Sequence, residues 1–301
     1  MSSKSELRGI LVALITPFLA DGSGIDREAL DVHINRLIDA GVHGLVPGGS
    51  TGEFTALSDE ERRILLEQTI ASAKGRVPVV AGISDLTTDR TIKHAKHAAE
   101  AGAAAVMVVP PFYDAVNISE LRDHLKDIHD ASGLPIMYYN IPSASGVTLT
   151  PAEMASLSEV GAIYLKDTSG NGPALTEMLF SPAISSKITA FNGWDTLTFY
   201  GLAAGANCSV WGATNILPEL SMELWKAVAE DRDLDKGRAI WAKVFPLCKF
   251  LESHNYAASV KTGMELRGWK TGGVRKPFVL LQGRPREELA QLLKDAGVKL
   301  A

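Results

Sequence analysis

The sequence predicts an α/β fold, a (β/α)8 TIM barrel followed by a C-terminal helical extension. Eight short apolar segments alternate along the chain with segments that have the pattern of amphipathic helices. The apolar residues run continuously within each segment, which is typical of parallel strands that are covered on both faces. A doubly wound parallel sheet is the alternative with the same alternation. The predicted strands are residues 9–16, 44–48, 77–83, 104–109, 135–140, 162–167, 188–192 and 208–212.

Several of the intervening helices begin at recognisable N-cap sequences. Two of these sequences have capping-box spacing, and a third adds a proline at the first helical position. Asp26 and Asp195 are the predicted N-caps of two further helices. The three longer signatures are Ser58-Asp-Glu-Glu61, Asn117-Ile-Ser-Glu120 and Thr150-Pro-Ala-Glu153.

After the eighth predicted strand the alternation stops. Residues 218–230, 234–252, 256–268 and 286–296 have helical patterns with no strand pattern between them. We therefore expect residues 1–216 to form the barrel that carries the active site, and residues 217–301 to form helices packed on the barrel. No linker or low-complexity sequence separates the two parts.

The composition is that of a globular protein, with 46% hydrophobic and 22% charged residues in a chain of 301. A net charge of -5 provides no basic field, so neither nucleic acid nor an anionic membrane is an expected partner. Cys208 and Cys248 are too few for a disulfide framework, which favours a reducing compartment. The sequence shows neither a signal-peptide pattern nor an apolar run of membrane-spanning length. These features together predict a cytoplasmic protein.

Lys166 is the first candidate for catalysis, because reactive groups in such barrels lie at the carboxyl ends of strands. It lies near the end of the sixth predicted strand, which is otherwise apolar. Side chains alternate along a strand, so Lys166 should face the barrel interior with Tyr164, whereas Leu165 faces the outer helices. Burying an ammonium without a partner is costly, which favours the neutral amine that forms Schiff bases with ketones. A structural ion pair is the alternative.

Tyr139 is the second candidate, in Met137-Tyr-Tyr-Asn-Ile-Pro142 at the end of the fifth predicted strand. One of the two adjacent tyrosines must face the barrel interior, because neighbouring side chains alternate. The fifth and sixth strands are neighbours in a barrel, so this phenol can reach the amine of Lys166. It could then pass protons during imine formation. Core packing is the alternative role.

A third candidate is the turn Gly48-Gly-Ser-Thr-Gly-Glu-Phe54, which follows the second predicted strand. Gly49 lets backbone N–H groups approach a ligand, and Ser50 and Thr51 add two hydroxyl groups. Such a turn can hold a carboxylate. Its spacing matches neither a phosphate-binding loop nor a dinucleotide-binding glycine pattern. Turns of this composition are also common as purely structural loops.

In this order and spacing, the segments resemble the family of dihydrodipicolinate synthase and N-acetylneuraminate lyase, the lysine-dependent class I aldolases. The resemblance covers essentially the whole chain, including the C-terminal helices. The segments that carry it are Gly9-Ile-Leu-Val-Ala-Leu-Ile-Thr-Pro-Phe18, Gly49-Ser-Thr-Gly-Glu53, Tyr139-Asn-Ile-Pro142 and Lys166-Asp-Thr-Ser-Gly-Asn171.

The resemblance implies a lyase that acts on pyruvate or another 2-oxo acid. Lys166 corresponds to the lysine that forms the Schiff base, and Tyr139 to the phenol that transfers protons. Ser50 and Thr51 correspond to the paired residues that bind the carboxylate of the 2-oxo acid, and Thr51 also belongs to the proton relay. The protonated imine supports aldol cleavage, condensation or dehydration, and the sequence leaves these reactions open.

The resemblance also implies an assembly. Tyr113 corresponds to a tyrosine that a neighbouring subunit inserts to complete the proton relay. The resemblance implies a homotetramer, in this family often a dimer of dimers. Val210 corresponds to an apolar position beside the bound carboxylate. The implied mechanism needs neither a cofactor nor a metal ion.

One position departs from dihydrodipicolinate synthases and bears on the second substrate. Where those enzymes carry an arginine that holds a second carboxylate, this chain has Ala144. Losing such a charge-assisted contact costs about 1.5–3 kcal/mol. A hydroxylated 2-keto-3-deoxy sugar acid or an aromatic aldehyde is therefore the expected substrate class. The residues expected to line this distal half of the pocket are Ser143, Ser145, Asn192, Trp194, Trp211 and Thr214.

Three other functions are weighed against this prediction. One is authentic dihydrodipicolinate synthesis despite Ala144, and another is a 2-oxo-acid-binding relative that has lost catalysis. A metal-dependent aldolase needs histidines and carboxylates that converge at strand ends. The histidines fall elsewhere, and a solvated helix face is the favoured interpretation of the i,i+3 pair His94 and His97.

Overall fold

The computed structural model of the chain describes residues 7–301 and contains eight strands within that range. Each strand lies inside one of the predicted segments, and the remaining residues of each segment lie beyond the regular strand at one or both of its ends. The strands are β1 (Gly9–Ala13), β2 (Gly44–Val46), β3 (Val80–Gly82), β4 (Ala105–Val108), β5 (Ile136–Asn140), β6 (Tyr164–Asp167), β7 (Thr189–Asn192) and β8 (Cys208–Trp211).

The eight strands form one parallel sheet in the order β2-β1-β8-β7-β6-β5-β4-β3. The two edges of this order meet, since Leu45 forms a parallel bridge with Val79. Two backbone bonds complete the closure, from Leu45 N to Pro78 O at 3.0 Å and from Gly82 N to Pro47 O at 2.9 Å. The sheet is therefore a closed barrel, and the doubly wound alternative is excluded.

Helices connect the strands and continue beyond the barrel. The main helices are α1 (Arg27–Asp39), α2 (Asp59–Ala73), α3 (Thr88–Ala101), α4 (Ile118–Ser132), α5 (Pro142–Ser145), α6 (Pro151–Ser156), α7 (Gly172–Phe180), α8 (Pro182–Ser185), α9 (Thr198–Ala203), α10 (Pro218–Trp225), α11 (Leu234–Glu252), α12 (Tyr256–Leu266) and α13 (Gly283–Asp295). Short 3-10 turns lie at Phe54–Ala56, Leu157–Val160, Asp195–Leu197 and Ala213–Asn215, and a π-helical turn extends α10 through Lys226–Glu230.

The predicted N-caps are confirmed at four helices. Ser58, Asn117 and Thr150 form capping boxes at the starts of α2, α4 and α6, and the Asp26 side chain accepts from Ala29 N at the start of α1. The prediction for Asp195 is wrong. Its carboxyl group is buried and accepts a hydrogen bond from the distant Tyr256 hydroxyl instead.

The alternation of side chains divides the strand residues between two apolar cores. The larger core lies between the sheet and the outer helices and includes Tyr138 and Leu165. The smaller core fills the barrel interior and includes Tyr139, Tyr164 and Val210. The inward direction predicted for Tyr139 and Tyr164 is therefore confirmed.

Helices α10–α13 form the predicted C-terminal helices and share a third apolar core with the barrel. This core joins Ile10 and Trp211 of the sheet to residues of α10 to α13. Helix α13 begins three residues before its predicted start. Within residues 7–301, none of the helices combines the length and the apolar character needed to cross a lipid bilayer.

Candidate active site

A cavity of about 290 Å³ opens at the carboxyl ends of the strands, where the chemistry of such barrels is found. Strands β1, β5, β6 and β8 each contribute a side chain near their ends, and the loops that follow the strands supply most of the rest. The lining residues are Ala13, Ser50, Thr51, Tyr139, Ile141, Ser143, Lys166, Thr168, Gly193, Trp194, Asp195, Val210, Gly212, Glu252 and Tyr256.

Lys166 projects into this cavity from β6 and is buried, with only 5% of its surface exposed to solvent. Its Nζ lies 3.9 Å from the centroid of the Tyr139 ring. No carboxylate of residues 7–301 lies within ion-pair distance of this amine, so the structural ion pair considered above is absent from the described chain. The amine is thus held in a closely packed site and still borders the cavity.

The aliphatic part of Lys166 is fixed by Gly193, which follows β7. A Cβ atom on Gly193 would lie 2.8 Å from both Cγ and Cε of Lys166 and 2.5 Å from Thr168 Oγ1. These distances are shorter than any ordinary packing contact. Glycine at this position therefore lets the backbone pass directly against the lysine side chain.

Strand register places the phenol of Tyr139 beside the lysine, because Tyr139 and Lys166 are direct partners in the β5–β6 ladder. On the opposite face of the two strands, Asn140 Nδ2 donates to Asp167 Oδ1 at 2.7 Å. Burial raises the pKa of Asp167, while the bonds from Asn140 and Ser169 oppose that shift. This buried pair fixes the register of the two strands that carry the candidate catalytic residues.

The turn after β2 brings Ser50 and Thr51 to the cavity wall. It approaches β3 closely, since a Cβ on Gly82 would lie 2.2 Å from the Gly48 carbonyl oxygen. Within residues 7–301, the backbone N–H groups of Ser50 and Thr51 donate to no other protein group. The turn therefore offers two unsatisfied N–H donors and two hydroxyl groups to a ligand.

The distal wall of the cavity is acidic, which the sequence did not predict. Asp195 is fully buried, and this burial raises the pKa of its carboxyl group to about 7. The Tyr256 hydroxyl donates to Asp195 Oδ2 at 2.6 Å. Glu252 accepts from Thr196 N at 2.8 Å, and burial raises its pKa as well. Among the described residues that line the cavity, Lys166 is the single cation.

Several residues predicted for the distal pocket lie elsewhere. Asn192 and Trp211 face away from the barrel interior, where Asn192 Nδ2 donates to Trp194 O and Trp211 packs in the C-terminal apolar core. Ser145 is buried and donates to Ile141 O, and Thr214 donates to Ser221. The predictions that these four residues contact substrate are not supported by their positions.

Other predicted residues are at the cavity or close to it. Ser143, Trp194 and Val210 line the wall with the residues described above. Gly49 does not reach the wall and lies against Met107 inside the barrel. Tyr113 is 88% exposed and lies outside the cavity lining of its own chain.

The histidines do not converge on the cavity, but the interpretation of His94 as a solvated residue is wrong. Its surface is only 7% exposed, and Nε2 lies 3.7 Å from carboxylate oxygens of Asp59 and of Asp85. Arg90 contacts both carboxylates, at 3.3 Å in each case. Arg62 lies 3.5 Å from Asp85 as well, so two positive charges balance the two aspartates and this cluster is a poor site for a metal cation.

A buried lysine amine beside a phenol and a hydroxyl-bearing turn, at the carboxyl end of a (β/α)8 barrel, defines a lysine-dependent barrel lyase. The profile of the Dihydrodipicolinate synthetase family matches residues 6–296. The chain belongs to this family.

Known relatives cover nearly the whole chain. The 4-hydroxy-tetrahydrodipicolinate synthase of Thermomicrobium roseum is 37% identical over 288 residues, which are 95% of this chain and 94% of that protein. The synthase of the same name from Methanopyrus kandleri is 32% identical over 295 residues, 97% of each chain. The crystal structure of the chloride-inhibited dihydrodipicolinate synthase from Acinetobacter baumannii, complexed with pyruvate, superposes with a TM-score of 0.92 at 30% identity. It covers 98% of this chain and 100% of that chain.

Proposed function

We propose that the protein is a lyase that binds pyruvate or a related 2-oxo acid covalently, as an imine of Lys166. The observation that carries this proposal is the buried Nζ of Lys166, which borders the cavity 3.9 Å from the Tyr139 ring. The pyruvate complex of the Acinetobacter baumannii relative supports the choice of ligand. The unsatisfied N–H groups of Ser50 and Thr51 provide the site for its carboxylate.

In this mechanism the neutral amine of Lys166 attacks the C2 ketone, and the carbonyl double bond becomes a C–O single bond. Tyr139 protonates that oxygen and, with the Thr51 hydroxyl, relays the proton lost by the amine. Tyr139, reprotonated by this relay, then donates a second proton to the C2 hydroxyl, which departs as water and leaves a protonated C=N bond beside the Tyr139 phenolate. This cation accepts the electron pair released when the C3–C4 bond breaks or when C3 loses a proton. One intermediate thus serves cleavage, condensation and loss of a β-hydroxyl as water.

For the second half of the substrate, the acidic distal wall favours hydroxyl groups over an anion. Asp195 and Glu252 are hydrogen-bond acceptors when ionised and repel a second carboxylate. Ala144 is exposed and supplies no charge at the rim. A 2-keto-3-deoxy sugar acid fits these groups. Authentic 4-hydroxy-tetrahydrodipicolinate synthesis is the second candidate, because the curated relatives carry that name.

Borohydride reduction in the presence of pyruvate tests the covalent step. We expect one irreversible adduct, which peptide mass mapping locates on Lys166 and which is absent from Lys166→Ala. Lys126→Ala is the matched control, because Lys126 lies exposed on α4 and should leave the adduct unchanged. No adduct, or an adduct on the other buried lysine, Lys261, would overturn the assignment.

A substrate panel separates the two candidate reactions and the non-catalytic alternative. Turnover of 2-keto-3-deoxy acids, with weak activity towards aspartate semialdehyde, is the expected result. Efficient condensation of pyruvate with aspartate semialdehyde would favour the synthase instead. An imine that forms with pyruvate, without turnover of any panel member, would favour a binding protein that has lost catalysis.

We propose further that the working enzyme is a homotetramer, a dimer of dimers, in which Tyr113 enters the cavity of a neighbouring subunit. The exposure of this large phenol in the single chain supports the proposal. Sedimentation gives the oligomeric state. Mixing inactive Lys166→Ala subunits with impaired Tyr113→Phe subunits should restore activity, because one mixed site then has both side chains intact. If mixed tetramers are shown to form and activity is still not restored, the insertion of Tyr113 into a neighbouring cavity is contradicted.

The cytoplasm is the proposed compartment. The two cysteines, Cys208 and Cys248, are both buried in separate apolar cores, as expected of residues that pack rather than cross-link. Fractionation of cells that express the tagged protein would test this, and recovery in an exported fraction would contradict it.

A further inference from the structure

A second lysine, Lys261 on α12, is completely buried. Its sequence pattern does not distinguish it from lysines that are exposed to solvent. It lies outside the cavity lining. Its Nζ forms an ion pair with Glu53 Oε1 at 2.5 Å and donates to Gly273 O at 2.7 Å. The same ammonium lies 4.1 Å from the Phe18 ring centroid. Burial lowers the pKa of Lys261 to about 8, and Glu53 opposes this shift.

Glu53, the partner of this lysine, is itself buried and held in an unusual backbone conformation. Its φ of 57° lies in the left-handed region, which a non-glycine residue adopts only when its surroundings hold it there. Its second carboxylate oxygen, Oε2, accepts from Arg275 N at 3.0 Å. Both oxygens of Glu53 are therefore tied to the C-terminal segment, one to α12 and one to the loop after it.

The backbone of Glu53 closes the turn that carries Ser50 and Thr51. Glu53 N donates to Ser50 O at 3.0 Å, and Gly52 N donates to Gly49 O at the same distance. These bonds use the carbonyl groups of Gly49 and Ser50, whereas the N–H groups of Ser50 and Thr51 have no protein acceptor within residues 7–301. A rotation at Glu53 would change the direction of those N–H groups.

We propose that Lys261 is a positioning residue for substrate binding: through Glu53 it holds the Ser50–Thr51 turn in the orientation that receives the carboxylate of the 2-oxo acid. The proposal depends on the proposed function, since it assigns that turn to the carboxylate. The proposal also gives the C-terminal helices a role in substrate binding. Lys261 lies on α12, about 210 positions after the Ser50–Thr51 turn in the sequence.

Steady-state kinetics with pyruvate as the varied substrate test this proposal in the full-length protein. In Lys261→Met, which keeps the length of the side chain and removes its charge, we expect KM to rise about tenfold or more. The value of kcat at saturating pyruvate should stay within about threefold of the wild type, because a lost binding contact raises KM selectively. Lys261→Arg should recover part of the loss. Where no turnover assay exists, the pyruvate dependence of borohydride trapping gives the same comparison.

Two further variants keep the test decisive. Glu53→Gln keeps the size of the side chain and removes the charge of the ion pair, so it should raise KM in the same direction even where Lys261→Met fails to fold. Lys270→Met is the matched control. Lys270 is an exposed lysine of the same C-terminal segment, and its Nζ forms an ion pair with Asp26 Oδ2 at 2.5 Å. This ion pair does not contact the Ser50–Thr51 turn. The KM of Lys270→Met should equal that of the wild type.

The proposal is overturned if Lys261→Met and Glu53→Gln retain the wild-type KM, or if they lose activity only in proportion to the folded fraction measured by thermal unfolding. Failure of the proposed function is seen separately, because wild-type protein would then form no pyruvate adduct on Lys166. A raised KM with intact trapping at saturation supports both conclusions together.

Discussion

Replacing Gly193 by alanine should crowd the lysine that we assign to imine formation without requiring a strained backbone conformation. The φ of Gly193 lies outside the left-handed region, so alanine is compatible with the local backbone. The new methyl group would lie 2.8 Å from two carbon atoms of Lys166, about 0.6 Å inside ordinary contact distance. Either the lysine or the loop after β7 must therefore move by several tenths of an ångström.

The expected size of the effect follows from this displacement. A misplacement of about 1 Å costs roughly a hundredfold in rate when reacting groups must be aligned. A shift of about 0.6 Å should therefore slow imine formation by roughly tenfold to a hundredfold. The same methyl group would lie 2.5 Å from Thr168 Oγ1, so the Thr168 side chain must move as well.

The assay is the rate of borohydride-trapped adduct formation with pyruvate, followed by intact-protein mass. Gly172→Ala is the matched control, because a Cβ at Gly172, the first residue of α7, would meet no other described atom within 4 Å. Thermal unfolding of both variants shows whether the fold is kept. If Gly193→Ala forms the adduct at the wild-type rate, the close packing of Lys166 has no role in its reactivity, and our account of the site is wrong.

The remaining predictions concern the phenols, acid stability and the second substrate. Tyr139→Phe should slow imine formation by roughly a hundredfold or more at unchanged stability. Tyr138→Phe should keep activity and the melting temperature, because the buried Tyr138 hydroxyl has no hydrogen-bond partner among residues 7–301. Burial lowers the pKa of His33 from 6.5 to about 4, so its contribution to stability is complete above pH 6.5 and is lost as the pH falls to 4. The free energy of unfolding, measured by urea titration, should therefore fall by about 3 kcal/mol between pH 6.5 and 4. His33→Gln should reduce this dependence of the unfolding free energy on pH. Ala144→Arg should raise kcat/KM for aspartate semialdehyde roughly tenfold to a hundredfold, and an unchanged or lower value would show that the arginine position does not decide the second substrate.

The proximal half of the site was predictable from the sequence because it depends on local rules. Alternation along a strand directs Lys166 and Tyr139 inward, and adjacency of consecutive strands brings them together. The same alternation explains two errors. Val210 faces the barrel interior, so its neighbour Trp211 must face outward, and Asn192 follows the inward-facing Phe191 in the same way.

Ser143 and Trp194 were predicted correctly for the distal half, but its acidic groups were not predictable, because they come from distant parts of the chain. Asp195 follows the seventh strand, whereas its partner Tyr256 belongs to α12, and the hydrogen bond between them spans 61 positions. In the sequence Asp195 has the appearance of an ordinary helix cap. His94 presents the same difficulty, since it is buried by contacts with Asp59 and Asp85 of other segments rather than by the pattern of its own helix.

The sequence by itself determined the barrel, the order of its strands, several of its helix starts and the inward direction of the lysine. These features follow from periodicity and capping, which act over a few residues. Only the tertiary structure decided that the far wall of the cavity is acidic and that a second lysine, Lys261, is buried against Glu53. Whether a charged side chain meets water or a partner depends on closure of the barrel and docking of α12, and no local pattern records that contact.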